Sequence, residues 1–227
     1  MTAMLESTMV DMEIFDSRES LAENLAKSIG DSLREAISER GAASMAVSGG
    51  STPKLMFQAL SQQDVDWSRV TITLVDDRCV APNHDRSNDR FVRLNLMQNW
   101  AAQARFLPLI GAKAEDLTAL MPFSICLLGM GTDGHTASFF PSGDTLAQAT
   151  DPKQAAPMIH LSAKGAGEER VTLTLPAIIS AKRLILHIEG AEKRAVLDKA
   201  QKSGDANKLP IRHVLRASKT IETYWAA

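Results

Sequence analysis

The sequence predicts an α/β protein with a mostly parallel central sheet covered by helices. Short apolar or β-branched runs alternate along the chain with helical segments, and several of those runs open directly into glycine-rich or charged loops. The 227 residues could form one large α/β domain or two small ones, and because no long polar linker forces a division the expectation adopted is one domain over 1–227. A chain of this size should bury roughly 70% of the surface that its unfolded form exposes, so the core needs no metal or disulfide to hold it.

Leu21, Leu25, Ile29, Leu33 and Ile37 recur every four residues and predict a core-facing helix over about 18–39, with Gly41 as its stop. Residues 43–47 read as a buried strand that runs into Ser48-Gly49-Gly50-Ser51-Thr52-Pro53. Glycine permits close backbone approach, Ser51 or Thr52 can cap a helix, and Pro53 suits its first turn, so the loop is either a phosphate nest or a plain turn. It has neither the glycine-lysine ending of a Walker loop nor the spacing of a dinucleotide fingerprint, which argues against ATP and NAD.

The β-branched run 70–75 is a strand, and it leads to Asp76-Asp77-Arg78. That triplet reads either as a salt-bridged turn or as a carboxylate for a polar substrate beside an arginine for an anion. Ser87 or Asn88 can cap a helix that contains Phe91, Val92, Leu94, Leu96 and Met97. His84 reads as solvated, and Trp67, Trp100 and Phe106 as packing residues.

The stretch that organises the rest is Gly129-Met130-Gly131-Thr132-Asp133-Gly134-His135-Thr136, entered from the apolar run 124–128. A buried strand opening into such a loop holds reactive groups rigidly at a sheet edge. His135 and Asp133, separated only by Gly134, are a candidate base and its orienting carboxylate. Residues 136–141 read as the start of a helical turn.

Residues 158–161 and 171–175 read as strands, with His160 a structural histidine and Arg170 either a cleft charge or a surface partner. The strand 183–188 precedes a helix whose first turn carries Lys193, a lysine that is either exposed or balanced there by an anion. A short helix around 209–215 and an edge strand over 221–225 complete the chain. The loops at Gly49, Asp76, His135 and Gly190 share one sheet edge if the strand order allows it.

A formal charge of -2 gives no sign of a nucleic-acid binder or a polybasic membrane surface. Cys79 and Cys126 are too few for a disulfide framework or a zinc motif, which favours a reducing compartment; no HExxH pattern is present, and no metal site is expected. The acidic start, with Glu6, Asp11 and Glu13, lacks a secretory pattern, and no apolar run approaches the roughly 20 residues that cross a bilayer. A cytoplasmic protein is the expectation.

Taken together, SGGSTP at 48–53, VDDR at 75–78, SN at 87–88, GMGTDGHTASFFP at 129–141, RVTLTLPAI at 170–178 and the segment from Glu189 to Lys193 resemble the lactonase branch of the glucosamine-6-phosphate isomerase/6-phosphogluconolactonase superfamily. The resemblance implies a Rossmann-like sheet of the NagB/RpiA/CoA-transferase type, with a small additional sheet possible. It further implies a cytosolic hydrolase of a phosphorylated sugar lactone in the oxidative pentose phosphate pathway, a monomer or weak homodimer using no cofactor. By the same resemblance His135 matches the catalytic base and Asp133 its acidic partner, while Gly49, Gly50, Ser51 and Thr52 match the sugar-phosphate loop. Arg78, Arg170 and Lys193 match cationic substrate positions, and Asp76 an acidic sugar-binding one. The chain departs from the pattern at Asp77-Arg78-Cys79-Val80, where the lactonases commonly carry Glu-Arg-Trp-Val. Two other readings are glucosamine-6-phosphate deamination and isomerisation, and a noncatalytic sugar-phosphate sensor; the GHTASFFP continuation favours the lactonase.

Overall fold

The computed structural model describes residues 9–218 and 220–227, so the expectation about a leader falls partly outside the described residues. Strand β1 (Met9–Phe15) leads into helix α1 (Arg18–Arg40), which starts where the extended Ser17 accepts the Ser20 N–H at 3.1 Å. It stops at Gly41, whose φ of 77° is left-handed and whose N–H returns to Ile37 O at 2.8 Å. Leu21, Leu25, Ile29 and Leu33 are fully buried, as their spacing predicts.

Strand β2 (Ala43–Val47) is buried throughout and is followed by α2 (Lys54–Leu60). Pro53 stands at the N-cap of α2, and neither Ser51 nor Thr52 caps it with a side chain, which leaves both hydroxyls to the loop. Strand β3 (Val70–Leu74) ends one residue before the expected boundary. Asp76-Asp77-Arg78 is not a turn: it is β4 (Asp76–Arg78), and the chain changes sheets at Val75. Helix α3 (Asn88–Asn95) has Ser87 as its cap, while the short β5 (Arg105–Leu107) and α4 (Ala114–Thr118) precede β6 (Ile125–Leu128).

Beyond β6, residues 136–141 form no helix; Thr136 bridges Phe139 in an irregular turn that Ala137 enters with φ 48°. Then come α5 (Leu146–Ala149), β7 (Met158–Leu161), β8 (Arg170–Leu173) and α6 (Leu175–Ile179). Arg170 is thus the first residue of β8, and the strand ends two residues earlier than expected because Thr174 caps α6. Strand β9 (Arg183–Glu189), α7 (Ala191–Ala200), α8 (Ile211–Ala217) and β10 (Thr220–Ala226) finish the chain.

Seven strands form one sheet in the order β1-β10-β9-β6-β2-β3-β5, every adjacent pair parallel. The anticipated additional sheet is present as antiparallel β4-β8-β7. β10 is not an edge strand: it lies between β9 and β1, and the edges fall to β1 and β5. The exposed Asp11 and Glu13 on β1 are the kind of charges that keep an edge from pairing further. Packing residues also differ from expectation, since Trp67 is buried but Trp100 is 53% exposed.

Helix α1 sets a row of fully buried side chains into the core that it shares with the sheet. Replacing the fully buried Ile29 by Ala should cost about 2–5 kcal/mol, read as a lower denaturant midpoint at unchanged m-value. A loss below about 1 kcal/mol would show that α1 does not anchor the core.

Candidate active site

Crossovers from β2 run outward through β3 to β5, whereas those from β6 run the opposite way through β9 to β10. β2 and β6 are neighbours, so their carboxyl ends part and leave a crevice, the place where open α/β sheets hold ligands. Ser48 spans it: its hydroxyl donates to Leu127 O at 3.1 Å and accepts the Gly129 N–H at 3.0 Å. The Gly-rich loops on the two sides are therefore fixed to each other.

Past Gly129 the chain folds back on itself. The Gly131 N–H donates to His135 O at 2.9 Å, and Thr136 Oγ1 donates to Gly129 O at 2.8 Å. Asp133 Oδ1 accepts both the His135 backbone N–H at 3.1 Å and the ring at Nδ1, 2.5 Å away. A carboxylate on Nδ1 selects the tautomer with its hydrogen there, so Nε2 is the nitrogen left to accept a proton. Burial pushes the Asp133 carboxyl up, but the hydrogen bond and charge of His135 and the backbone N–H groups outweigh it and hold it below the usual range. Phe140 stacks on the imidazole with centroids 4.5 Å apart. Gly131 is required by space, since a Cβ there would lie 2.3 Å from the ring and 2.7 Å from Asp133 Oδ1.

The crevice widens into a cleft of about 330 Å³. His135, Gly49, Gly50, Ser51, Thr52, Asp76, Arg78, Arg170 and Lys193 all line it, while Asp133 does not and holds the ring from behind. A larger hollow of about 580 Å³ beside His213 and Arg216 gathers none of these residues. Among the described residues, the backbone N–H groups of Gly49, Gly50, Ser51 and Thr52 find no protein acceptor, as an anion-holding loop requires.

The two aspartates of the VDDR motif have separate tasks. Asp76 Oδ2 accepts the buried Ser138 hydroxyl at 2.6 Å, and Asn88 Nδ2 donates to Asp76 O at 2.9 Å. Asp77 instead turns to α3, accepting the N–H of Arg78, Asn88 and Asp89 at 2.8, 2.7 and 3.2 Å. Burial pushes its carboxyl up against those bonds. Asp77 is a fold residue and does not line the cleft. Cys79 does not line the cleft either. His160 is exposed, and its ring nitrogen faces Cys79 and Glu169.

Antiparallel pairing of β4 with β8 sets Arg78 opposite Arg170. Arg78 Nη1 donates to Arg86 O at 2.5 Å and Arg170 Nη2 to Ala166 O, yet Nε of each is buried with no protein partner among the described residues. Burial, then the neighbouring charges of Arg78 and Arg86, pull the Arg170 pKa down. Burial likewise pulls Lys193 down, while its ammonium donates to Thr52 Oγ1 at 3.0 Å. An anion placed beside these two groups would offset both penalties.

Sequence reasoning missed four residues here. Arg86 lines the cleft from a polar loop, paired with Glu168 at 3.0 Å, and a solvated loop charge carries no periodic signal. Asn88 stood in the SN motif only as a helix cap, but it lines the cleft and sits where a Gly49 Cβ would come within 2.0 Å of its Oδ1. Ser138 and Phe140 lie in the stretch 136–141 that reads as a helical turn, and the irregular loop that forms there instead brings them onto Asp76 and His135.

A switch-point cleft that sets a carboxylate-held imidazole among convergent cations defines an α/β protein built to act on a small anionic ligand. The glucosamine-6-phosphate isomerases/6-phosphogluconolactonase family model matches residues 16–225. A 6-phosphogluconolactonase of Rhizobium meliloti is 49% identical, the match covering 95% of this chain and 98% of that protein. Another, of Mesorhizobium japonicum, is 46% identical over 93% of each. The crystal structure of a 6-phosphogluconolactonase from Shewanella baltica superposes with a TM-score of 0.90 at 38% identity, covering 97% of this chain and 99% of that one. A monomeric glucosamine-6-phosphate deaminase shares the fold at a TM-score of 0.78 and 16% identity, covering 96% of this chain and 97% of that one. The chain belongs to the glucosamine-6-phosphate isomerase/6-phosphogluconolactonase family.

The loop geometry makes Gly131 a sharp probe. Gly131→Ala should leave the fold intact, displace the Asp133–His135 pair and lower turnover on the order of 10²-fold, measured at matched circular dichroism; wild-type turnover would show that the pair tolerates displacement.

Proposed function

We propose that this chain is a 6-phosphogluconolactonase that opens 6-phospho-D-glucono-1,5-lactone to 6-phospho-D-gluconate, the hydrolytic step of the oxidative pentose phosphate pathway. The observation that carries this reading is the Asp133-held His135 ring on the same cleft as Arg78, Arg170 and Lys193. Hydrolysis of a lactone needs a water activated at neutral pH and a carbonyl held against it. Both parts are available here.

In this mechanism His135 Nε2 takes a proton from water as the water oxygen bonds to the lactone carbonyl carbon. Asp133 fixes the ring and stabilises the imidazolium that forms. When the tetrahedral intermediate collapses, the bond to the ring oxygen breaks, and His135 returns the proton to that oxygen. Arg78, Arg170, Lys193 and the loop from Gly49 to Thr52 hold the phosphate, and Asp76, aligned by Asn88 and Ser138, accepts from sugar hydroxyls. Phosphate binding then does positional work, since holding the distant end sets the carbonyl before the base. No step in this scheme requires a metal or an organic cofactor.

The proposed working form is a cytoplasmic monomer or weak homodimer, a single lactonase domain without a nucleic-acid or membrane partner. The net charge of -2 supports the part of this reading that concerns nucleic acid, and among the described residues no helix is long and apolar enough to cross a membrane.

Replacing His135 by Ala should lower kcat about 10² to 10⁴-fold with freshly generated phosphorylated lactone, after spontaneous opening is subtracted. Near-equal turnover would remove His135 from the role. For Arg78→Ala and Lys193→Ala the phosphorylated lactone should bind more weakly by about 1.5–3 kcal/mol each, while the unphosphorylated lactone is little affected. Parallel losses on the two substrates would argue that these side chains act on the sugar and not on its phosphate.

A further inference from the structure

Three side chains that the proposed mechanism leaves unused converge beside the cleft. Cys79 Sγ lies 3.7 Å from His160 Nδ1, which lies 3.1 Å from Glu169 Oε1, and one donor atom from each falls within 4.8 Å of the others. They come from three strand segments: Cys79 follows β4, His160 is in β7 and Glu169 precedes β8. The ladder fixes their spacing, with the Cys79 N–H donating to Glu169 O at 2.8 Å.

We propose that Cys79, His160 and Glu169 form a site for a divalent ion of the zinc class. Sulfur, imidazole nitrogen and carboxylate oxygen are the donors that zinc takes, at about 2.3, 2.0 and 2.0 Å. Tetrahedral bonds of those lengths separate the donor atoms by roughly 3.3–3.6 Å. The sulfur–nitrogen and nitrogen–oxygen separations already stand near that range, and rotation of the exposed Glu169 side chain closes the third. The thiolate disfavours magnesium and calcium, which prefer all-oxygen shells. On binding, the thiol proton leaves to solvent, the imidazole keeps its hydrogen on Nε2, and water fills the fourth position. One thiolate and one carboxylate then neutralise the ion.

The site touches function through its neighbours. Cys79 adjoins Arg78 and Glu169 adjoins Arg170, so an ion there clamps the strand pair that presents both guanidiniums. It also holds the end of the segment whose Gly165 and Ala166 wall the cleft.

The test uses untagged, metal-free protein with Co²⁺ absorption and with Zn²⁺ competition against a chromogenic chelator. Wild type should take up one equivalent and show a thiolate-to-cobalt charge-transfer band. Cys126 is fully buried, so that band reports Cys79. Cys79→Ser should abolish the band, and Cys79→Ser and His160→Gln should each weaken Zn²⁺ at least about tenfold while retaining metal-free lactone hydrolysis as the control for folding. His135→Ala should bind as wild type does. A wild-type spectrum without the band, unchanged Zn²⁺ affinity in both site variants, or loss of binding in His135→Ala would overturn the proposal, the last by placing the ion on the imidazole of the cleft.

Discussion

The cleft starts from the parting of β2 from β6 and from the Ser48 hydroxyl that bridges it. Two parallel strands whose crossovers leave in opposite directions must open a gap at their carboxyl ends. The Ser48 N–H already reaches Leu127 O across it at 3.0 Å, and the hydroxyl adds the partner that the Gly129 N–H needs. Ser48 supplies one acceptor and one donor to the β6 side, so the two glycine loops keep a fixed separation. Among the described residues the N–H groups of residues 49–52 have no protein acceptor, and all four residues line the cleft.

The loop after β6 solves a second problem, that of presenting an imidazole in one orientation without burying it. Asp133 reaches back to both the backbone and the ring of His135, and Phe140 supports one face of that ring. Such an arrangement closes only if nothing projects from residue 131. The glycine there is a matter of room, whereas at Gly50 and Gly134 the backbone itself is left-handed, with φ of 92° and 78°.

Much of this was legible in the residues, for identifiable reasons. The four-residue spacing of α1, the apolar runs of β2 and β6 and the Gly41 stop are local properties, and the fold honours them. What escaped were elements defined by distant partners. β1 is a charged edge strand and β5 an edge strand of only 3 residues, both defined by their pairing, and β10 gains its interior place only because β1 pairs beyond it. The turn-like Asp76-Asp77-Arg78 became a strand through β8, nearly a hundred residues later in the chain, and that pairing alone separates the tasks of Asp76 and Asp77. The structure gathers the motif residues other than Asp133 along one cleft, while Arg86 joins its lining and Ser138 meets Asp76 through tertiary neighbours.

The cations of the cleft are divided between two sheets. Arg78 and Arg170 stand on the small antiparallel one, whereas Lys193 and the loop after β2 belong to the large parallel one. A phosphate that engages both groups becomes a removable rivet between them, and its binding energy is added to whatever already resists unfolding. Thermal endurance in the cell would then rise and fall with the pool of the metabolite being processed, and a starved molecule would be the first to yield to heat or to a protease.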